Sequence, residues 1–170
     1  MKNIELKIIL DDFLEITKIL KKSGAQFKGR LAQIDTYFNC KKGRLKLREI
    51  NRKNFELIFY QRPDKQSSRL SNYQIAEFKK DQAQNIKLVL SESLGVLVAV
   101  KKKRNLWIYK NTRIHLDIVE KLGHFLELET VVRGNSLKNA RNEHAEVINL
   151  LRIDKCKKIS TSYSNLLLAK

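Results

Sequence analysis

Polar and apolar residues alternate along positions 112–129, which predicts two β-strands joined by a short turn at Lys121-Leu122-Gly123. Because successive side chains of a strand point to opposite faces, each of these strands has one apolar face of Ile and Leu. The opposite face carries charge of both signs: Arg113, His115 and Asp117 in the first strand, Glu127 and Glu129 in the second. This is the pattern of an antiparallel hairpin with one polar face.

The two glutamates of the second strand are two residues apart, so their backbone positions lie about 6.6 Å from each other on the same face. Unpaired carboxylates at this spacing repel, and one of them tends to keep its proton. A divalent cation beside Glu127 and Glu129 would remove that cost. The alternative is a solvated outer face of an ordinary antiparallel sheet.

The spacing of apolar residues also predicts the other elements of the chain. Period-two alternation predicts strands over 2–10, within 26–38, and over 44–50, 55–62, 69–73, 96–104 and 106–109, with a turn at Asn105. Apolar stripes at helical spacing predict helices capped by Asp11 or Asp12, by Asp81 and by Ser136, and a short helix or docked segment over 160–169. Strands outnumber helices about eight to four, which predicts one α+β domain over 1–170: an antiparallel sheet, bent or closed, with helices packed outside.

Charge is the unusual property of the composition. The chain has 35 Lys and Arg against 18 Asp and Glu, a formal net charge of +17, which attracts polyanions of any kind. It contains no basic helix and no glycine-aromatic stacking motif, so nucleic acid is expected only through nonspecific charge. No apolar run reaches eighteen residues and no signal peptide precedes the first strand, so we expect no membrane partner and a cytoplasmic location.

The charged faces of the separate strands predict a common site. If the helices cover the apolar faces, a closed barrel has a charged interior, the reverse of a small barrel filled by Val and Leu. Burying ions costs several kcal/mol each, so such an interior is expected to bind an anion and a metal. The cations are Lys7, Lys46, Arg48, Arg62, Arg69, Lys102, Arg104 and Arg113, and the anions are Glu5, Asp117, Glu127 and Glu129.

These residues lie in segments that resemble the CYTH family, the triphosphate tunnel metalloenzymes. The first strand reads Asn3-Ile4-Glu5-Leu6-Lys7, where the family has an E-x-E-x-K motif. The other matching segments follow in order: QIDTYF at 33–38, GRLKLRE at 43–49, LIFYQRPD at 57–64, RLSNY at 69–73, VKKKR at 100–104, TRIHLD at 112–117, LGHFLELE at 122–129 and SYSNLL at 162–167. The likeness covers nearly the whole chain.

The resemblance implies an eight-stranded antiparallel β-barrel, a tunnel with a charged interior that binds a triphosphate along its axis. By position, Glu5, Glu127 and Glu129 are the implied ligands of Mg²⁺ or Mn²⁺, and Asp117 is a ligand or the partner of one. The eight cations named above are implied to bind phosphate, and Lys7 and Glu5 are the candidate catalytic residues. The implied partner is a small-molecule triphosphate, and the protein is expected to be a monomer or a homodimer.

Several positions stay open at this stage. Asn3 replaces the first motif glutamate, which weakens the expected metal site. His115 is interpreted either as a hydrogen-bonded strand residue or as a catalytic group, and Tyr37 as wall packing or as part of the site. His124 and His144 are predicted to be exposed.

Three functions fit this sequence. The first is an adenylyl cyclase of class IV, which converts ATP into cyclic AMP and pyrophosphate. The second is a triphosphatase acting on tripolyphosphate, thiamine triphosphate or a nucleotide. The third is a non-catalytic binder of polyphosphate or RNA, suggested by the net charge and by Asn3.

Overall fold

The structure, a computed structural model, describes residues 2–61, 69–132 and 136–170, with the side chains of 69–72 not included. It contains eight strands, β1 Lys2–Leu10, β2 Gln26–Phe38, β3 Arg44–Ile50, β4 Asn54–Gln61, β5 Arg69–Phe78, β6 Val96–Tyr109, β7 Thr112–Val119 and β8 Gly123–Val131. The helices are α1 Leu14–Lys22, α2 Lys80–Leu94, α3 Leu137–Leu150 and α4 Tyr163–Leu168.

The strands form a closed antiparallel barrel in the order β1-β5-β4-β3-β2-β6-β7-β8, and β8 pairs back with β1. The predicted α+β fold with an eight-stranded tunnel is thereby confirmed. Closure leaves no free sheet edge, because each strand finds a neighbour on both sides. Among the helices of the described residues, none is long and apolar enough to cross a membrane.

The apolar faces of the strands pack under two helices. Leu6 and Ile8 of β1, with residues of β7 and β8, contact Ile16 and Leu20 of α1 and Val147 of α3 in one buried cluster. Burial of such a side chain contributes about 1.5–3 kcal/mol, so this cluster accounts for much of the hydrophobic stabilisation. Because it uses the outward faces, the charged faces of the same strands point into the barrel.

One end of the barrel interior is apolar, not charged. Tyr37, Val100 and Phe125 pack there against Tyr163 of α4, and the rings of Phe125 and Tyr163 meet edge to face at 5.0 Å. The chain reaches this position along β1, where Ile159 N–H donates to Lys7 O at 2.8 Å. The tail predicted as a helix or docked segment therefore closes one end of the tunnel.

Several predicted boundaries were wrong. The turn predicted at Asn105 does not form, because Asn105 pairs with Arg30 on one side and Leu116 on the other, within one continuous β6. Asp81 is not the cap of α2 but lies in its first turn. The N-cap residue is Lys79, which forms a capping box with Gln82. Long-range strand pairing outweighs the turn propensity of a single Asn. Ser136 caps α3 as predicted, and its Oγ accepts from Asn139 N–H. The N-cap of α1 is Phe13, one residue after the predicted Asp12, whose Oδ1 accepts from Leu14 N–H.

Candidate functional site

The barrel encloses a cavity of about 290 Å³. Nine predicted site residues line it: Glu5, Lys7, Lys46, Arg48, Lys102, Arg104, Arg113, Glu127 and Glu129. Asp117 lies fully buried next to Arg104, outside the cavity wall. Arg62 falls outside the described residues, and Arg69 is placed by its backbone alone, opposite Glu5.

Charge inside the cavity is nearly balanced. Within the described part of the lining, six residues carry a positive charge and five carry a carboxylate, and Asp117 adds a sixth carboxylate just behind the wall. A buried ion needs compensation nearby, because the low-dielectric interior does not solvate it. An anion with several negative charges would therefore need extra positive charge to enter, and a bound divalent cation is one source of it.

Asp35 on β2 holds two of the cations on β3, and the sequence analysis did not single it out. Its carboxylate accepts from Lys46 Nζ at 2.8 Å and from Arg48 Nε and Nη2 at 2.7 and 2.8 Å. Burial would raise the pKa of Asp35, but Arg48 and Lys46 lower this pKa well below its usual value. The available signal was its phase, since Gln33, Asp35 and Tyr37 lie on one strand face.

The β6–β7 hairpin repeats this arrangement. Arg104 donates from Nε and Nη2 to the two oxygens of Asp117, both at 2.6 Å, and Lys102 Nζ lies 3.5 Å from Asp117 Oδ2. In both hairpins a Lys-x-Arg sequence on one strand faces an Asp directly opposite the Arg. Burial, followed by the repulsion of Arg104, lowers the pKa of Lys102 to about 8.

Lys7 occupies the centre of the polar network, with the C-terminal segment behind it. Its Nζ lies 3.1 Å from Glu127 Oε1, donates to Thr161 O at 3.3 Å and sits 3.9 Å from the centre of the Tyr163 ring. Tyr163 also donates from its hydroxyl to Asp117 Oδ2 at 3.2 Å. Sequence analysis missed this role of Tyr163, although the residue lies in the matched segment 162–167.

His115, Glu127 and Glu129 form the group best suited to a metal ion among the described residues. Their donor atoms lie within 4.8 Å of one another. His115 Nδ1 is 3.7 Å from Glu129 Oε1 and 4.0 Å from Glu127 Oε2. Burial, reinforced by Arg104, lowers the pKa of His115, which favours the neutral ring. Burial would raise the pKa of Glu127, but Lys7 and other donors lower it well below its usual value.

Asn3 lies beside this metal-binding group, but its side chain hydrogen-bonds to Arg113. Its amide is best oriented with the oxygen accepting from Arg113 Nη2 at 2.8 Å and the nitrogen donating to Lys2 O at 2.9 Å. Arg113 Nη2 also lies 2.9 Å from Glu129 Oε2. Glu5 is the residue of β1 directly opposite Glu129. The position of the missing motif acid is thus occupied by a neutral group bonded to an arginine.

Buried polar atoms without hydrogen bonds also mark the cavity. Within the residues that the structure describes, Gln33 Oε1, Arg113 Nε and His115 Nδ1 are buried and make none. All three residues line the cavity. A buried orphan of this kind costs about 1–3 kcal/mol, so these atoms are candidates to contact a ligand.

The structure also places the positions that the sequence left open. Tyr37 packs in the apolar end of the barrel and also lines the cavity, and Lys46 Nζ lies 5.4 Å from its ring centre. His124 is half-buried, with its ring edge to face on Phe13 at 5.0 Å. The prediction for His144 was wrong: it is 3% exposed, and its Nδ1 is 2.8 Å from Thr130 Oγ1. Its spacing from Ala140 and Val147 places it on the buried stripe of α3.

Comparison with known proteins agrees with this geometry. A protein of Methanocaldococcus jannaschii named "Putative adenylate cyclase" is 28% identical over 178 residues, covering 98% of both chains. The structure of a Pyrococcus horikoshii protein superposes with a TM-score of 0.80 at 25% identity, covering 96% of this chain and 98% of that one. A Hippeastrum protein shares the fold alone, with a TM-score of 0.67 at 12% identity over 98% and 93% of the chains. The model of the CYTH domain matches residues 1–163, and the chain therefore belongs to the CYTH family.

Proposed function

We propose that this protein is a metal-dependent enzyme that acts on a triphosphate, and that it converts ATP into cyclic AMP and pyrophosphate. The observation that carries the proposal is the convergence of six cations and a group of side chains suited to a metal in one cavity inside the barrel. The name of the Methanocaldococcus jannaschii relative supports the cyclase reaction.

Lys and Arg side chains of four strands are the proposed phosphate ligands. Arg48 and Arg104 are each held by an Asp through Nε and Nη2, which fixes the plane of the guanidinium. A guanidinium that is fixed in this way can present its other N–H groups to phosphate oxygens without a further loss of side-chain entropy. Lys46 and Lys102 supply point charges beside them.

The residues present fit a divalent metal. Carboxylate oxygens suit the hard cations Mg²⁺ and Mn²⁺, and Glu127 and Glu129 bring such oxygens to one point, with Glu5 opposite Glu129. When bound, the metal would offset phosphate charge and lower the pKa of the attacking hydroxyl. Glu127 and Glu129 are held in place by Lys7 and by Arg113, respectively.

In the cyclase reaction the ribose 3′-oxygen bonds to the α-phosphorus, and the bond from that phosphorus to the bridging oxygen breaks. The hydroxyl proton leaves to a base, and the bond electrons leave with pyrophosphate. Cations aimed at the leaving group stabilise the charge that develops on it. Lys7, held between Glu127 and the Tyr163 ring, is the proposed catalytic cation, with Glu5 on the same strand face.

A triphosphatase is the second candidate, and the size of the cavity favours it. At about 290 Å³ the cavity lies at the lower limit of ligand pockets, roughly 300–1,000 Å³. A volume of this size matches a triphosphate chain, and a nucleoside attached to it would extend toward the open side of the cavity. The Hippeastrum protein of the same fold is described as having a dominant triphosphatase activity, which supports this alternative.

The test is product analysis by mass spectrometry after incubation of the protein with ATP, tripolyphosphate and thiamine triphosphate in turn, each with Mg²⁺ or Mn²⁺. Cyclic AMP and pyrophosphate from ATP are expected. Glu127→Gln should lower the rate at least about a hundredfold, because it removes a charge that holds Lys7 and can bind the metal. Glu146→Gln is the matched control, since Glu146 pairs with Lys110 on the surface.

Release of orthophosphate without cyclic AMP would replace the cyclase with the triphosphatase. No turnover of any of the three substrates with either metal would contradict both enzymes. Tight, salt-sensitive binding of polyphosphate under those same conditions would identify the protein as a non-catalytic binder.

A further inference from the structure

We propose that His115 is itself a metal ligand, which replaces the acid that Asn3 does not supply, and that the site consequently prefers Co²⁺ to Mg²⁺. The proposal deepens the proposed function, on which it rests for the presence of a metal site. It assigns one nitrogen and two carboxylate ligands to the site: His115, Glu127 and Glu129.

The surroundings of the His115 imidazole support a role as a metal ligand. His115 is 3% exposed, and its Nδ1 is buried without a hydrogen bond among the described residues. A histidine that only completes a strand is expected to satisfy its ring nitrogens, because an orphaned buried nitrogen is costly. The carboxylate oxygens that face Nδ1, Glu129 Oε1 and Glu127 Oε2, lie 3.7 and 4.0 Å away, too far for a good hydrogen bond, and a metal ion between them and the ring would satisfy the nitrogen.

The donor atoms of the three residues have the spacing of ligands to one ion. Ligand atoms about 2.0–2.2 Å from a common ion lie roughly 3–4 Å from one another. His115 Nδ1 is 3.7 Å from Glu129 Oε1 and 4.0 Å from Glu127 Oε2, which falls in this range. Arg113 holds the other oxygen of Glu129, Oε2, at 2.9 Å, and this contact leaves Oε1 directed at the histidine.

Strand β1 lacks one of the acids that the family motif has. The amide of Asn3 is bonded to Arg113 Nη2 and to Lys2 O, so it is not directed at the metal group. Where the family motif has a carboxylate this site has a neutral amide, and the imidazole on β7 offers a buried nitrogen without a hydrogen bond. Imidazole nitrogen favours transition metals, whereas Mg²⁺ favours oxygen ligands. The exchange of one donor type for the other predicts the change in metal preference.

The experiment uses the intact protein and metal ions alone. In protein labelled with ¹⁵N-histidine, the chain's three histidines give separate imidazole signals. Addition of Zn²⁺, a diamagnetic ion that imidazole also binds, should shift the Nδ1 signal of His115 and leave those of His124 and His144 in place. Spectra of His115→Asn and His124→Asn assign the signals. An unchanged His115 signal at saturating Zn²⁺ would overturn the proposal.

Calorimetric titration gives the second measurement. His115→Asn should weaken Co²⁺ binding at least about tenfold and change Mg²⁺ binding much less, whereas the control His124→Asn should change neither. If His115→Asn weakened Co²⁺ binding and Mg²⁺ binding equally, the assignment of His115 as a nitrogen ligand would be wrong. Turnover of triphosphates is measured separately. If the protein turns over a triphosphate but His115 does not respond to metal, only this inference is wrong. If His115 binds metal but no triphosphate is turned over, only the proposed function is wrong.

Discussion

His144 is a buried histidine outside the tunnel, and its environment makes the free energy of unfolding depend on pH. Its Nδ1 is 2.8 Å from Thr130 Oγ1, which lies 2.8 Å from Thr112 Oγ1, and Thr112 donates to Glu143 at 2.7 Å. This chain of hydrogen bonds joins α3 to β7 and β8, next to Arg113 and Glu129. Burial lowers the pKa of His144 from 6.5 to about 4.

This lowered pKa predicts a loss of stability in mild acid. Above pH 6.5 His144 is neutral in both the folded and the unfolded state. Between pH 6.5 and 4 the unfolded chain binds a proton that the folded protein does not, so the free energy of unfolding falls by about 1.4 kcal/mol per pH unit. Between pH 7 and 5, urea denaturation should show a loss of about 2 kcal/mol from this residue.

His144→Gln should be less stable than the unchanged protein at pH 7 but should lose about 2 kcal/mol less between pH 7 and 5. His124→Gln is the matched control and should keep the original pH dependence. His115 is present in all three proteins, so its own titration cancels in the comparison. Identical slopes for His144→Gln and the unchanged protein would contradict the prediction.

The β2–β3 and β6–β7 hairpins carry the same functional unit. In each, an Asp lies opposite the Arg of a Lys-x-Arg sequence and holds the side chains of the cavity wall. Breaking a buried pair by removing one partner destabilises a protein by about 3–5 kcal/mol, because the other charge remains uncompensated. The aspartate of each hairpin thus compensates its buried cations and holds them in place at the cavity wall before any ligand binds.

Asp35→Asn tests whether the aspartate holds the cations of its hairpin in the cavity wall. The variant should unfold at a lower temperature than the unchanged protein, because Lys46 and Arg48 lose their buried carboxylate. Added tripolyphosphate should raise its melting temperature by more than it raises that of the unchanged protein, since phosphate replaces the lost charge. Asp81→Asn, on the exposed start of α2, is the control. An equal or smaller ligand-induced shift in Asp35→Asn would show that Asp35 does not act on the phosphate-binding cations.

At the scale of the whole molecule, positive charge dominates the outside while the tunnel is nearly balanced. The net charge is +17, but the described lining and Asp117 together hold equal numbers of cations and carboxylates. Most of the excess positive charge therefore lies outside the cavity. Exposed charges are screened by salt much more strongly than buried ones.

Two kinds of anion binding should consequently respond differently to salt. Binding of single-stranded RNA should weaken at least about a thousandfold between 50 and 200 mM salt, because it depends on released counterions. Tripolyphosphate binding in the tunnel should weaken far less, and Glu127→Gln should leave the RNA affinity unchanged. Filter binding for RNA and calorimetry for tripolyphosphate measure both. RNA binding that survives 200 mM salt and is displaced by tripolyphosphate would place the RNA in the tunnel.

The alternation of side chains along each strand was enough to predict which residues share a face, because that phase depends on backbone geometry alone. It predicted the charged faces of β1, β3, β7 and β8, and their resemblance to one family predicted the closed tunnel. Helix caps such as Ser136 were also predictable, since they depend on groups three residues apart.

Only the tertiary structure decided which charges meet. The pairing of Asp35 with Arg48, the passage of β6 through Asn105 and the placement of Tyr163 beneath Lys7 all join residues distant in the chain. The burial of His144 likewise depends on where α3 packs. A local pattern sets the phase of an element, but register, closure and burial arise from long-range contacts, whose energies exceed the local preferences.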